Sequence, residues 1–333
     1  MKKRILSLLL CVTMLAMLCA GCSGTPAGSS DTSAGSSEDA VETSKSTEGN
    51  VKIGFLSPTL QNEFFIGIDN ELKEGCDEKG WDYVSVSFDN DSATAISAIE
   101  NLVTGKCDVI IAMVSDDSCD SALKAAQEEG VKIMECGVQT EVYDVCLNTV
   151  QKDIGVEIGK MASEWINTQL NGAGKVVVYT TYQNQDMQER GEGIQEALKE
   201  DAPDAEILEV VDIGKDVVGA GTSTTENMLQ KYGDLNTIVC YGDAAAVEAM
   251  EAVKAAGLGS DNFGIFACDG TNQALAGIAN NDVMRGTVVF DPLGPLMIEY
   301  CERVLAGEEF PDMVGTGTTS VTAANVKEFY TAE

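Results

Sequence analysis

From Val51 to Glu333 the chain alternates between short apolar runs and longer amphipathic segments, and this alternation constrains the fold more than any other feature. Val51-Lys52-Ile53-Gly54-Phe55-Leu56 reads as a strand. Phe65, Ile68, Leu72 and Cys76 follow at helical spacing, closed by Gly80. Trp81 to Phe88 alternates as a strand, and Ile96, Ile99 and Val103 mark a helix ending at Gly105. Cys107 to Val114 is nearly continuous in apolar residues, as expected of a strand buried on both faces of a parallel sheet. A helix over 121–129, a strand over 131–136 and a short strand at 144–149 complete this series. Ile154, Ile158, Met161 and Trp165 then form a helical stripe. A second series opens at Lys175-Val176-Val177-Val178-Tyr179. It continues through helices at 187–200, 223–232, 244–256, 272–280 and 293–305, interleaved with strands at 206–212, 237–241, 263–267 and 286–290. A short strand near Ser320-Val321 and a helical tail at 324–330 end the pattern. Two such series predict an α/β chain of two doubly wound, Rossmann-like lobes with mostly parallel sheets covered on both faces.

The first fifty residues stand outside this pattern. Lys2-Lys3-Arg4 precedes a 16-residue, mostly apolar run from Ile5 to Ala20, short for a bilayer span and shaped like a signal peptide. The run ends Leu18-Cys19-Ala20-Gly21-Cys22, which resembles a bacterial lipobox with Cys19 where an aliphatic residue is usual. On that reading residues 1–21 are removed and Cys22 is lipidated; ordinary cleavage near Ala20, with Cys22 free, is the other reading. Ser23 to Asn50 is rich in Ser, Thr and Gly, with Val41 its one large aliphatic residue, so it cannot bury enough surface to fold. Residues 22–50 are therefore expected to form a flexible tether with a root-mean-square reach of roughly 30 Å. The expected location is the outer face of a membrane, held there by lipid.

Composition removes several classes of function. The 333 residues contain no histidine, so neither a Ser-His-Asp nor a Cys-His nucleophile nor a His-ligated metal can be assembled. No cofactor motif appears: Asn171-Gly172-Ala173-Gly174-Lys175 precedes a strand where a phosphate loop would follow one. The net charge of −33 becomes −36 once residues 1–21 are removed, because Lys2, Lys3 and Arg4 leave with no acid. Such a surface repels phosphates and argues against nucleic acid as a partner. Beyond Cys11, Cys19 and Cys22, eight cysteines remain in the body with no CxxC and no metal spacing. They read as small core residues, with disulfides as the alternative.

Open α/β sheets bind ligands beyond the carboxyl ends of their strands, which singles out particular residues. After the first strand come Asn62, Phe64 and Phe65: aromatic faces suit the C–H faces of a sugar ring, and an amide suits its hydroxyls. Phe65 also fits the core stripe of its helix. Glu135 ends the strand at 131–136, where it either faces a ligand or caps a turn. Arg190 sits near a helix start, which the helix dipole disfavours for a cation. Asp243 reads as an N-cap. Thr271 can cap the next helix, freeing Asp269 for the cleft. Phe290 reads as a cleft wall or a packing residue at a crossing.

Taken in order, Asn62-Glu63-Phe64-Phe65, Arg190-Gly191-Glu192-Gly193, Asp269-Gly270-Thr271 and the closing Val321-Thr322-Ala323-Ala324-Asn325-Val326 resemble the type I periplasmic binding proteins of the ribose/galactose-binding family. The resemblance spans nearly all of residues 51–330. It implies two lobes closing over one ligand, joined by three hinge crossings near Val150, Phe290 and 315–319. The N-terminal lobe would comprise 51–150 plus 291–314, and the C-terminal lobe 151–290 plus 319–333. The family's sugar contacts match at Asn62, Phe64, Phe65, Arg190 and Asp269. Its Asp-Arg pair is Glu135-Cys136 here, and a family Asn and Gln fall at Gly242 and Phe290. Losing those donors leaves pentose hydroxyls unpaired and points away from ribose.

The resemblance implies a non-enzymatic, monomeric lipoprotein that takes a sugar or polyol as its small-molecule ligand and passes it to an ABC transporter permease, with no cofactor and no metal. A ligand-sensing subunit for a membrane receptor is the other reading. An enzyme lacks motif support. A repressor of the same fold would carry a basic DNA-binding segment where this chain has an export signal.

Overall fold

The computed structural model describes residues 50–114, 117–137, 140–182, 185–214, 219–310 and 312–331. The expected signal segment, Cys22 and the expected tether up to residue 49 lie outside the described residues. The first series comprises β1 (Lys52–Ser57), α1 (Glu63–Lys79), β2 (Asp82–Ser87), α2 (Ser92–Thr104), β3 (Val109–Ala112), α3 (Asp120–Glu128), β4 (Lys132–Cys136) and β5 (Val145–Asn148). The second comprises α4 (Gln151–Gln169), β6 (Lys175–Thr180), α5 (Gln185–Asp201), β7 (Glu206–Asp212), α6 (Ala220–Lys231), β8 (Thr237–Cys240), α7 (Asp243–Ala255), β9 (Gly264–Cys268), α8 (Asn272–Ala279) and β10 (Met284–Phe290). Then come α9 (Leu293–Leu305), β11 (Val314–Gly315) and β12 (Thr318–Thr322).

The strands form two six-stranded sheets, ordered β11-β5-β4-β3-β1-β2 and β12-β10-β9-β8-β6-β7. The first sheet is parallel throughout; the second is parallel except where β12 runs against β10. Alternate strand residues supply separate cores on the two faces of each sheet. Val109 and Ile111 pack with α1 and α9, whereas Ile110 and Ala112 pack with α2 and α3. Val177 and Tyr179 face α7, and Val176 and Val178 face α4 and α5. Burial on both faces explains why these strands read as continuous apolar runs.

The chain passes between the sheets three times: after β5, after β10, and between β11 and β12. On the second passage α9 places Leu293, Met297, Ile298, Cys301 and Val304 in the core of the first sheet.

Sequence and structure differ at the margins. Cys107 precedes β3 instead of starting it. The two-residue β11 is too short to leave a periodic signal. The expected helix at 324–330 is a single tight turn, Val326–Glu328, because the Asn325 side chain accepts the Thr322 N–H and draws the chain into a turn. All eight body cysteines are buried free thiols. Cys76 and Cys301 meet in the first sheet's core, and Cys240 and Cys268 lie on opposite faces of the second.

One helix contact is closer than the others. A Cβ at Gly155 of α4 would overlap the Arg190 carbonyl of α5, and one at Gly193 would overlap the Lys152 carbonyl. One at Gly159 would lie 2.7 Å from Ala197 Cβ. The α4 and α5 backbones therefore touch, which seats Arg190 beside the start of α4. Gly155→Ala is expected to lower stability by about 1–3 kcal/mol through overpacking. Gly67→Ala, at an exposed helical site with nothing nearby, should be stabilising by about 0.5–1 kcal/mol. Urea titration of both variants checks this contrast.

Candidate ligand-binding site

Between the carboxyl ends of the two sheets lies a cavity of about 370 Å³. Asn62, Phe64, Phe65, Arg190, Asp269 and Phe290 all line it. Asn62 is also the N-cap of α1: its Oδ1 accepts the Phe64 N–H at 2.9 Å. This cap fixes the entry angle of α1 and turns Phe64 and Phe65 towards the cavity. Phe64 meets Phe65 edge-on at 5.3 Å between centroids and Phe290 at 5.6 Å. Phe290 touches the cores of both sheets, as its position at the second passage requires.

Arg190 is 6% exposed, and its guanidinium is held on several sides. Nε donates to Gln151 Oε1 at 3.0 Å, and Nη2 donates to the same oxygen. Nη1 donates to the Tyr241 carbonyl at 2.7 Å and to Cys268 Sγ at 3.0 Å. Asp269 Oδ1 lies 4.0 Å from Nη1 and accepts the Cys268 thiol at 3.2 Å. Asp269 Oδ2 accepts the Asp243 N–H at 3.1 Å. The Asp269 backbone sits at φ 127, in the left-handed range that costs a non-glycine residue on the order of 1–3 kcal/mol. Four of the five guanidinium N–H groups are committed to protein, so Arg190 keeps one donor, on Nη2, while Asp269 lies against Nη1.

Of its two expected roles Glu135 takes the one at a turn, and Asp243 departs from its expected one. Glu135 does not line the cavity. It is fully buried, and Thr140 donates to it through its N–H and hydroxyl, both at 2.7 Å, so the acid ties down the loop after β4. Cys136 and Gly137 take its place at the cavity wall. Asp243 is not the N-cap of α7. Gly242 holds that position, and Asp243 turns inward to accept the Thr271 N–H and hydroxyl and the Thr287 hydroxyl. Burial, then the charge of Asp269, raise its pKa. Thr271 does cap α8, through the Ala274 N–H.

Other lining residues are not singled out by the sequence pattern: Phe88, Met113, Cys119, Asn148, Gln151, Thr181 and Tyr241 among them. Phe88, Met113, Thr181 and Tyr241 each follow a strand, so applying the carboxyl-end rule to every strand finds them. Gln151 carries no such signal. It opens α4 and bridges Asn148 Oδ1 to Arg190 across the first passage between the sheets. Among the described residues no cluster of three or more Cys, Asp or Glu is arranged to hold a metal ion.

Burial pushes the Glu135 carboxyl from 4.5 up to about 7, outweighing the two Thr140 hydrogen bonds. The folded state then holds a proton that the unfolded state has lost. Glu135 therefore favours folding fully below pH 4.5, and this contribution fades as pH rises to about 7, by about 3 kcal/mol in all. Glu135→Gln keeps the shape without the titration. Urea melts across pH 4.5–7.5 should show the wild-type stability falling relative to this variant, and parallel curves would disprove the assignment.

A family model described as a periplasmic binding protein domain matches residues 53–309. The ribose import binding protein of Haemophilus influenzae is 26% identical over 274 residues, covering 81% of this chain and 90% of that protein. A solved ABC transporter solute-binding protein from Mycobacterium smegmatis, with bound glycerol, aligns with a TM-score of 0.75 at 23% identity, over 84% of this chain and 96% of its own. A periplasmic solute-binding protein of an Actinobacillus succinogenes ABC transporter, with bound D-allose, aligns with a TM-score of 0.74 at 20% identity, over 84% of this chain and all of its own.

Proposed function

Since the chain belongs to the periplasmic binding protein domain family, we propose that it captures a neutral sugar or polyol between its two sheets and delivers it to an ABC importer. The observation that carries this reading is the Arg190–Asp269 pair at the end of an aromatic-walled cavity. One N–H beside one carboxylate suits a hydroxyl, which both accepts and donates. A ligand carboxylate would want the two-pronged fork that Gln151, Tyr241 and Cys268 already occupy. Cys136 and Gly242, at the cavity wall, offer no strong side-chain donor, which favours a ligand with fewer hydroxyls than ribose in that direction. The ribose, allose and glycerol named for the related proteins are all neutral and hydroxylated.

Binding would proceed by closure about the three passages. Residues 51–150 with 291–314 form one lobe, and 151–290 with 319–333 the other. Ligand touching both favours the closed state by its differential affinity for it. Contacts between the lobes are already in place: Glu63 accepts the Asn272 N–H at 2.9 Å, and Phe64 packs on Phe290. Residues 1–21 serve as the export signal. Lipidated Cys22 and the tether hold a monomer at the outer membrane face within reach of the permease.

Calorimetry and thermal melts against neutral sugars and polyols test the ligand class, since a ligand of the native state raises the melting temperature. Arg190→Ala and Asp269→Asn should each weaken the tightest of these at least tenfold while the circular dichroism spectrum stays native-like. Unchanged affinity in both would overturn the site. Cys22→Ser should move the protein from the membrane fraction to the soluble fraction.

A further inference from the structure

A second cavity, of about 300 Å³, adjoins the first between the same two sheets. Thr59, Asn62 and Asn90 line both. On the facing wall Gly242 borders the first cavity and Asp243, the next residue, borders the second. The boundary on that side thus falls at a residue with no side chain. A Cβ at Gly242 would lie 3.1 Å from Asp269 Oδ2, so a side chain there would press on the Asp269 carboxylate.

The second cavity is not merely the gap between parted halves. Glu63 lines it, and the Glu63 carboxylate is bonded to the Asn272 N–H of the other half. Thr271, next to Asn272, lines it too. The two halves are joined at its border.

The cavities differ in chemistry. The first has the rings of Phe64, Phe65, Phe88, Phe290 and Tyr241 in its walls. Among the described residues the second is lined by no aromatic and no cationic side chain; hydroxyls, amides and carboxylates make up this lining, with Ala244 and Val247 as the apolar exceptions. An aryl group finds nothing to stack on there, and an anion finds carboxylates. A hydroxylated group finds acceptors and donors. Sites for small molecules span roughly 300–1,000 Å³, so the first cavity alone lies near the lower end and the second nearly doubles it.

We infer that the ligand is a two-part molecule, a hydroxylated glycoside whose ring occupies the aromatic cavity and whose polar substituent passes Gly242 into the second. This rests on reading the cleft as a sugar site.

Calorimetry on the full-length protein with paired probes tests the inference. D-galactose, D-allose and myo-inositol serve as one-part probes, galactosylglycerol and galactosyl-myo-inositol as two-part probes, and phenyl galactoside as the aryl control. A two-part probe should bind at least tenfold tighter than its one-part half, and the phenyl galactoside should lack that gain. Ala244→Trp should fill the second cavity and remove the gain; Gln273→Trp, at an exposed helical position, does the same should the first variant fail to fold. One-part probes binding as tightly as both two-part probes, or a gain that survives both tryptophans, would overturn the inference while leaving the sugar site standing. Absence of binding by every probe would overturn the sugar site itself, and the inference with it.

Discussion

The buried guanidinium of Arg190 sets the terms for much of this molecule. Removing such a charge from water costs several kcal/mol unless it is paired and hydrogen-bonded. Here the partners come from three separate parts of the chain: Gln151 at the start of α4, the Tyr241 carbonyl after β8, and Cys268 with Asp269 at the end of β9. Those elements must lie in one arrangement for the charge to be tolerated. The glycines between α4 and α5 make that arrangement reachable, since any larger residue would hold the two backbones apart.

The same network limits how much of its charge Arg190 presents to the cavity. A free arginine at a helix start would attract any anion. This one has most of its donors turned inward and a carboxylate beside it, so the site is close to neutral despite containing a full charge. Cys268 contributes a thiol that accepts from the arginine and donates to the aspartate. A soft, weakly hydrogen-bonding atom thus stands between a guanidinium and a carboxyl group.

Much of the architecture is legible in the order of residues alone. Continuous apolar runs such as 107–114 are what strands buried on both faces produce, and the carboxyl-end rule leads to Arg190, Asp269, Phe64 and Phe290 at the cavity. What is not legible depends on side-chain direction. Glu135 and Asp243 sit at strand ends as the rule requires, yet both point into the protein because a threonine waits there to donate to them. Nothing in a one-dimensional pattern tells an inward carboxylate from an outward one. Gln151 is invisible for the opposite reason: it follows its strand across a passage between sheets and reads as an ordinary helix start. The two-residue β11 falls below the length at which periodicity exists.

The outer strand of the first sheet comes from Val314–Gly315, and the Thr149 hydroxyl bonds Thr316 across 167 positions of sequence. A sheet begun at residue 52 is thus completed near the far end of the chain. Contacts of such separation form late, because a long loop must close before they can act. Because synthesis runs from the N-terminus, the consequence is temporal. The sheet that the leading half begins stays unfinished until almost all of the polypeptide has been made.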